Sequence, residues 1–277
     1  MLEDLLARLE ALVDGFAAED GAERLRFPPA CARADVERSG YLEGLPHLLG
    51  TVHAFAGDER EHRALLAESR DGRDLTRSQR STAIVLAPAA CYPVYPLIAA
   101  RGPLSSRGVL VAVASWCFRH EPSGEPTRLQ FFRMREQVCF GSSEQVLDFR
   151  ARWMERAQAL VRALEMPGRL ALANDPFFGR AGRVLEESQR AQSLKFELSI
   201  PVHDPERPTA CFSFNYHRDH FARSFGIRTA EGTFAHTACA GFGLERLAFA
   251  LMRHHGLDPG AWPRTVRAVP WSRRCAP

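Results

Sequence analysis

The sequence lacks any stretch approaching the roughly 20 apolar residues that span a bilayer, so it offers no transmembrane helix. It also lacks a basic region followed by an apolar one at its start. Residues 2–16 form an acidic, helix-like run instead, which argues against secretion. No two cysteines pair as CxxC. Their number, 7, is odd, and Cys31, Cys91, Cys117, Cys139, Cys211, Cys239 and Cys275 are scattered along 277 residues, which argues against a disulfide framework and points to a reducing cytoplasm. An excess of one charge is missing too. Lys and Arg total 36 against 33 Asp and Glu, and the resulting +3 is far from the balance of a dedicated nucleic-acid binder. The local exception, Arg264, Arg267, Arg273 and Arg274, reads as a solvated chain end. There is no internal repeat and no low-complexity segment.

What is present is a globular composition, 45% hydrophobic and 25% charged, in a chain long enough for one large core. Leu2, Leu5, Leu6, Leu9, Leu12, Val13 and Phe16 recur at helical spacing and predict an amphipathic helix whose stripe must be covered. A short strand over 24–27 is halted by Pro28 and Pro29, and a helix over 34–39 is closed by Gly40. Residues 58–80 read as a polar surface connection around a short helix. A short strand over 83–86 delivers Cys91 into a loop stiffened by Pro93 and Pro96. Residues 109–118 and 129–140 are β-rich and predict a long antiparallel hairpin. Ser142 and Gln145 form a capping-box pattern at the head of a long helix ended by Pro167 and Gly168.

Further on, Leu194, Phe196, Leu198 and Ile200 alternate with polar residues, as do Phe212, Phe214 and Tyr216, which predicts two half-buried strands. A last strand over 233–239 leads through Gly241 and Gly243 into a helix. Hairpin-length connections dominate, so the class is α+β, a mostly antiparallel sheet flanked by helices.

Three groups of residues could carry chemistry. Arg119 and Glu121 stand where the first hairpin strand turns. A guanidinium there could grip a phosphate and a carboxylate could accept from a base amine, although alone such charges read first as solvated surface groups. In Gly241-Phe242-Gly243-Leu244-Glu245-Arg246 the glycines permit close backbone approach to a ligand, and Arg246 projects near a helix N-terminus. An ordinary helix entry would look the same. Cys91, Glu136 and Cys239 are far apart in sequence, and by spacing alone the cysteines read as small buried apolar groups. His203, His217, His220 and His236 show no ligand spacing and read as surface or core residues.

In this order, the Phe118-Arg119-His120-Glu121 turn and the Gly-x-Gly-x-Glu-Arg segment resemble motifs 2 and 3 of class II aminoacyl-tRNA synthetases. The resemblance implies Arg119 on the α-phosphate of ATP, Glu121 on the adenine amine and Arg246 on the γ-phosphate. Phe196-Glu197-Leu198-Ser199-Ile200-Pro201 is similar to a strand of seryl-tRNA synthetases. This implies Glu197 as a ligand of catalytic Mg²⁺. Ser213, Asn215 and Asp219-His220-Phe221-Ala222-Arg223 echo the segment that follows that strand, which implies Asn215 as a cofactor-binding residue. Atypical zinc-dependent seryl-tRNA synthetases and their truncated relatives, the amino acid:[carrier protein] ligases, use a Cys-Glu-Cys zinc set, which implies Zn²⁺ at Cys91, Glu136 and Cys239 with the substrate amino group on the open position.

The match to the ligases spans nearly the whole chain, including Arg26-Phe27-Pro28-Pro29 and Ser39-Gly40-Tyr41-Leu42. It implies a single catalytic domain over 1–277 without a tRNA-binding domain. The implied activity is ATP-dependent activation of a small amino acid, glycine or alanine, and transfer to the phosphopantetheine of a carrier protein, with no tRNA and no membrane partner. Class II domains pair through their first motif, so a homodimer is expected. Two alternatives remain: a non-catalytic paralogue, and seryl-tRNA synthetase-like aminoacylation of tRNA.

Overall fold

A computed structural model describes residues 1–269. In chain order the elements are helix α1 (Leu2–Glu19), strands β1 (Glu23–Arg26) and β2 (Ala30–Ala32), helices α2 (Arg33–Arg38) and α3 (Tyr41–Gly44), strand β3 (Thr51–Phe55), helix α4 (Glu59–Arg70), strand β4 (Gln79–Leu86) and helix α5 (Val94–Ala100). Then come the hairpin β5 (Val109–Phe118) and β6 (Phe131–Gly141), α6 (Ser143–Ala163), β7 (Arg169–Leu172) and α7 (Gly179–Ala191). The chain continues through β8 (Lys195–Asp204), β9 (Arg207–Arg218), α8 (His220–Phe225), β10 (His236–Gly243), α9 (Leu244–His255) and α10 (Arg264–Arg267).

Among the described residues the main sheet has 7 strands in the order β1-β5-β6-β10-β9-β8-β7. All its pairs are antiparallel except β1 with β5. Period-two alternation sends Phe212, Phe214, Ala238, Ala240 and Phe242 to one face, where α1, α6 and α9 cover them around Trp153. On the other face Val111, Val113, Val138 and Phe140 pack under α5 and α8, with the Tyr95 and Phe221 rings stacked at 4.2 Å. The α6 capping box forms as the sequence predicts: Gln145 N donates to Ser142 Oγ at 3.2 Å, and Ser142 N donates to Gln145 Oε1 at 2.8 Å. Gly40, at φ 78°, supplies the left-handed residue that closes α2. No helix among the described residues is long and apolar enough to cross a membrane.

Several expectations change. The proline-stiffened loop after Cys91 is helix α5, because prolines in a helix's cap and first turn forfeit no internal hydrogen bond. The strand expected over 83–86 begins at Gln79 and is the centre of a second, three-stranded sheet, β2-β4-β3. Strand β10 runs on through Gly241 and Gly243, in register with Glu136 and Met134 of β6. The apolar stripe of α1 is already covered within the chain: Leu5, Leu6, Leu9, Leu12 and Val13 are buried in the core shared with α6 and α9. Of the tail arginines, Arg273 and Arg274 lie outside the described residues, as does Cys275.

Candidate active site

The centre of the sheet is floored by two lateral rows. Antiparallel registers place Val138, Cys239, Asn215 and Lys195 side by side on β6, β10, β9 and β8, and Glu136, Gly241, Ser213 and Glu197 in the next row. Neighbouring strands lie about 4.8 Å apart, so each row crosses roughly 14 Å of floor. The middle of the second row is a glycine and a serine, which keeps the floor low between two carboxylates. A cavity of about 540 Å³ stands over it. All the candidate residues, Cys91, Arg119, Glu121, Glu136, Glu197, Asn215, Cys239 and Arg246, line that cavity.

Two arginines enter from one side. Arg119 Nε donates to the Pro88 carbonyl at 3.0 Å, and the guanidinium lies over the Phe132 ring at 5.4 Å. Arg246, from the first turn of α9, donates through Nε to Thr127 O at 3.0 Å and through Nη1 to Ala210 O at 2.9 Å. Burial and then the neighbouring charge of Arg119 push the Arg246 pKa down. Two guanidiniums held this close in a low-dielectric cleft repel each other, and a polyphosphate between them would relieve that repulsion. Glu121 at the mouth accepts from Arg128 Nη1 at 2.9 Å.

On another side Cys91, Glu136 and Cys239 converge. The Cys91 thiol is within hydrogen-bonding reach of both partners, and burial, then the Cys239 charge, raise the Glu136 carboxyl to about 8. Glu136 Oε2 is buried without a hydrogen-bond partner among the described residues. Asn215 Nδ2 donates to Cys239 Sγ at 3.4 Å, and His217 Nε2 lies 3.7 Å from the same sulfur. Among the described residues no group of three or more His, Cys, Asp or Glu is placed so that it could hold a metal ion. The hydrogen bond between the two thiols raises Cys91 and lowers Cys239, so the pair shares one proton unequally, and two sulfurs with a buried carboxylate oxygen are donor types that zinc takes.

Residues 76–255 match the family model of the tRNA synthetase class II core domain (G, H, P, S and T). The chain is 51% identical over 269 residues to amino acid–[acyl-carrier-protein] ligase 1 of Bradyrhizobium diazoefficiens, covering 97% of this chain and 82% of that one. It belongs to the amino acid:[carrier protein] ligases.

Ligase 2 of the same organism is 49% identical over 96% of this chain and 80% of its own length. The type-2 serine–tRNA ligase of Methanopyrus kandleri is 28% identical, over 89% of this chain and 50% of its own length. The fold of M. kandleri SerRS, solved in complex with A. aeolicus tRNASec, superposes with a TM-score of 0.79 at 24% identity, covering 96% of this chain and 55% of that one. The ligase chain therefore spans about half the length of these synthetases and shares their class II core.

Sequence reasoning missed three residues of the ligase cavity. His217 continues the Ser213, Asn215 alternation by one more step, a signal that was available. Lys195 is the period-two partner of Glu197 and the one lysine in the sequence. Asp175 sits in a loop and left no signal. Lys195 Nζ bridges Asp175 Oδ1 at 2.5 Å and Glu197 Oε1 at 3.0 Å. Burial alone would raise the Asp175 carboxyl, but the Lys195 ammonium, the Gln189 hydrogen bond and the Arg119 charge together hold the group below its ordinary value.

Proposed function

We propose that the protein joins a small amino acid, glycine or alanine, to ATP as an aminoacyl-adenylate and passes the aminoacyl group to the phosphopantetheine thiol of a carrier protein. The observation that carries this reading is the convergence of two phosphate-type arginines, a carboxylate for a base amine and a Cys-Glu-Cys donor set on one cavity. Identity near half to proteins named amino acid–[acyl-carrier-protein] ligases supports the acceptor.

In the first step the amino-acid carboxylate oxygen bonds to the α-phosphorus and pyrophosphate departs. Arg119 holds the α-phosphate and Arg246 the γ-phosphate, both fixed by backbone carbonyls before substrate arrives, so little reorganisation accompanies the developing charge. Glu121 accepts from the adenine amine. Glu197 and Asn215 hold the polar side of the floor, where Mg²⁺ bound by Glu197 would supply charge against the polyphosphate. Cys91, Glu136 and Cys239 would hold zinc, which supplies an electrophilic position for the substrate amino group. In the second step the carrier thiol attacks the adenylate carbonyl, the thioester forms and AMP leaves.

Small side chains fit this reading because a walled cavity rejects large groups by overlap more strongly than small ones by lost contact. The chain's +3 charge offers little pull on a polyanion such as tRNA, while a transient encounter with an acidic carrier needs only modest basic patches such as Arg218 and Arg223. The protein acts in this reading as a cytoplasmic homodimer.

Amino-acid-dependent ATP–pyrophosphate exchange across all twenty amino acids tests the first half. Glycine or alanine gives the fastest exchange, and robust exchange with leucine or phenylalanine refutes the small pocket. Labelled amino acid then distinguishes acceptors. Label on the phosphopantetheinylated carrier and not on unfractionated tRNA is the expected outcome, and the reverse overturns it.

A further inference from the structure

Lys195 is the one lysine among 35 arginines, since Lys and Arg together number 36, and it is buried at 7% exposure. A buried cation on a strand is costly unless it is paired. Here its ammonium faces two carboxylates from different parts of the chain, Asp175 on the loop before α7 and Glu197 on its own strand. Asp175 is tied a second time. Its Oδ2 accepts from Gln189 Nε2 and its backbone N donates to Gln189 Oε1, both at 2.8 Å, which fastens the loop to α7. Helix α7 needs that tie, for Gly182 is its one buried residue, and apolar packing contributes little to holding it over the cavity. Asp175, Ser188, Gln189, Lys195 and Glu197 all line the cavity.

We propose that Lys195 is a positioning residue that aims the Glu197 carboxylate into the cavity and, through Asp175 and Gln189, couples its loading by Mg²⁺ and nucleotide to the seating of α7. The inference rests on the reading of Glu197 as a Mg²⁺ ligand. A compact ammonium suits the role, because its three donors reach two carboxylates at once without the planar fork of a guanidinium. When a divalent cation takes Glu197, the Lys195–Glu197 attraction weakens and the ammonium is left to Asp175 alone.

The composition makes the test direct. Protein grown with lysine labelled at ¹³Cε and ¹⁵Nζ, expressed without a tag, carries one labelled side chain. Its signal should move when Mg²⁺ and a non-hydrolysable ATP analogue are added together, and return when EDTA removes the metal. Independently, the Mg²⁺ half-saturation for binding a fluorescent ATP analogue should rise about tenfold or more in Lys195→Met, the range typical when a residue supporting a metal ligand is lost. Lys195→Arg keeps the charge without the compact shape and should recover only part of that loss. A signal that stays still at saturating Mg²⁺ and analogue, or a Lys195→Met half-saturation within about twofold of wild type, overturns the proposal. The labelled wild-type experiment does not depend on any variant folding, and neither readout requires turnover. A protein that fails to activate any amino acid therefore defeats the proposed function and leaves this test standing.

Discussion

Gly241→Ala separates the cavity floor's role in folding from its role in substrate binding. An ideal Cβ at Gly241 would lie 2.9 Å from Ser213 Oγ, 3.3 Å from Met134 Cε and 3.7 Å from Glu136 Cγ. The nearest contact is the tip of a serine side chain, which one χ1 rotation removes, and displacing it costs about 0.5–1.5 kcal/mol. Alanine in a strand gains a similar amount, about 0.5–1 kcal/mol, from the backbone freedom that glycine loses on folding. The two terms nearly cancel, and a net 1 kcal/mol would shift Tm by only about 2–4 °C in a chain of this size.

Function has no such compensation. The methyl rises from the lowest part of the floor, between Glu136 and Glu197, and would lift anything lying across it by about 1 Å, a misplacement that costs around 10²-fold in rate. Differential scanning fluorimetry and pyrophosphate exchange with glycine and alanine read the two effects separately. Adding Ser213→Ala should restore any lost Tm without restoring exchange. A variant with full exchange would show that substrate does not lie over Gly241, and one that melts more than about 10 °C early would show that Ser213 does not yield.

Metal analysis should find one zinc per chain, lost in Cys91→Ala; active wild-type protein without zinc would refute the assignment. Arg246→Ala should lower kcat by about 10²–10³-fold, as the loss of a preorganised charge donor does, while exchange within a few-fold of wild type would remove Arg246 from the nucleotide site. Ser142→Ala breaks the α6 capping box, so it should cost about 1 kcal/mol and lower Tm by about 2–4 °C with exchange unchanged. Sedimentation at micromolar concentration should show a dimer, and a lone 30.9 kDa species would contradict it.

The sequence made the hairpin, α6 and the two alternating strands legible because each carries a strong local signature: a long β-rich run, a capping box, and a period of two. The same period puts Ser213 and Asn215 on one face of their strand, but the register that sets Gly241 and Cys239 beside them comes from the sheet pairing. Strand β3 left no such trace, for four of its five residues are exposed and nothing alternates. Helix α7 was equally silent, since one buried glycine gives no apolar stripe to read. The glycines of β10 misled in the other direction. They read as the lead-in to a helix, yet here they are strand residues whose missing side chains make the space above the floor.

Helix α1 shows where a physical pattern stops short of its interpretation. An apolar stripe at helical spacing requires a cover, but the periodicity carries no record of which surface provides it. In this chain the cover is α6, α9 and the sheet, reached across more than a hundred residues of sequence, and Trp153 lies in the middle of the contact. Ion pairs finish the attachment: Asp14 with Arg135, and Glu3 with Arg133 at 2.7 Å, which also reaches Glu245 of α9 at 2.7 Å. Those partners tie α1 to β6 and to the first turn of α9, next to Arg246. A surface recruited to fix that part of the catalytic frame is not free to be the dimer contact. The homodimer contact is therefore expected not at the stripe but at the outer side of β1, which among the described residues pairs with β5 alone and stands at the edge of the main sheet.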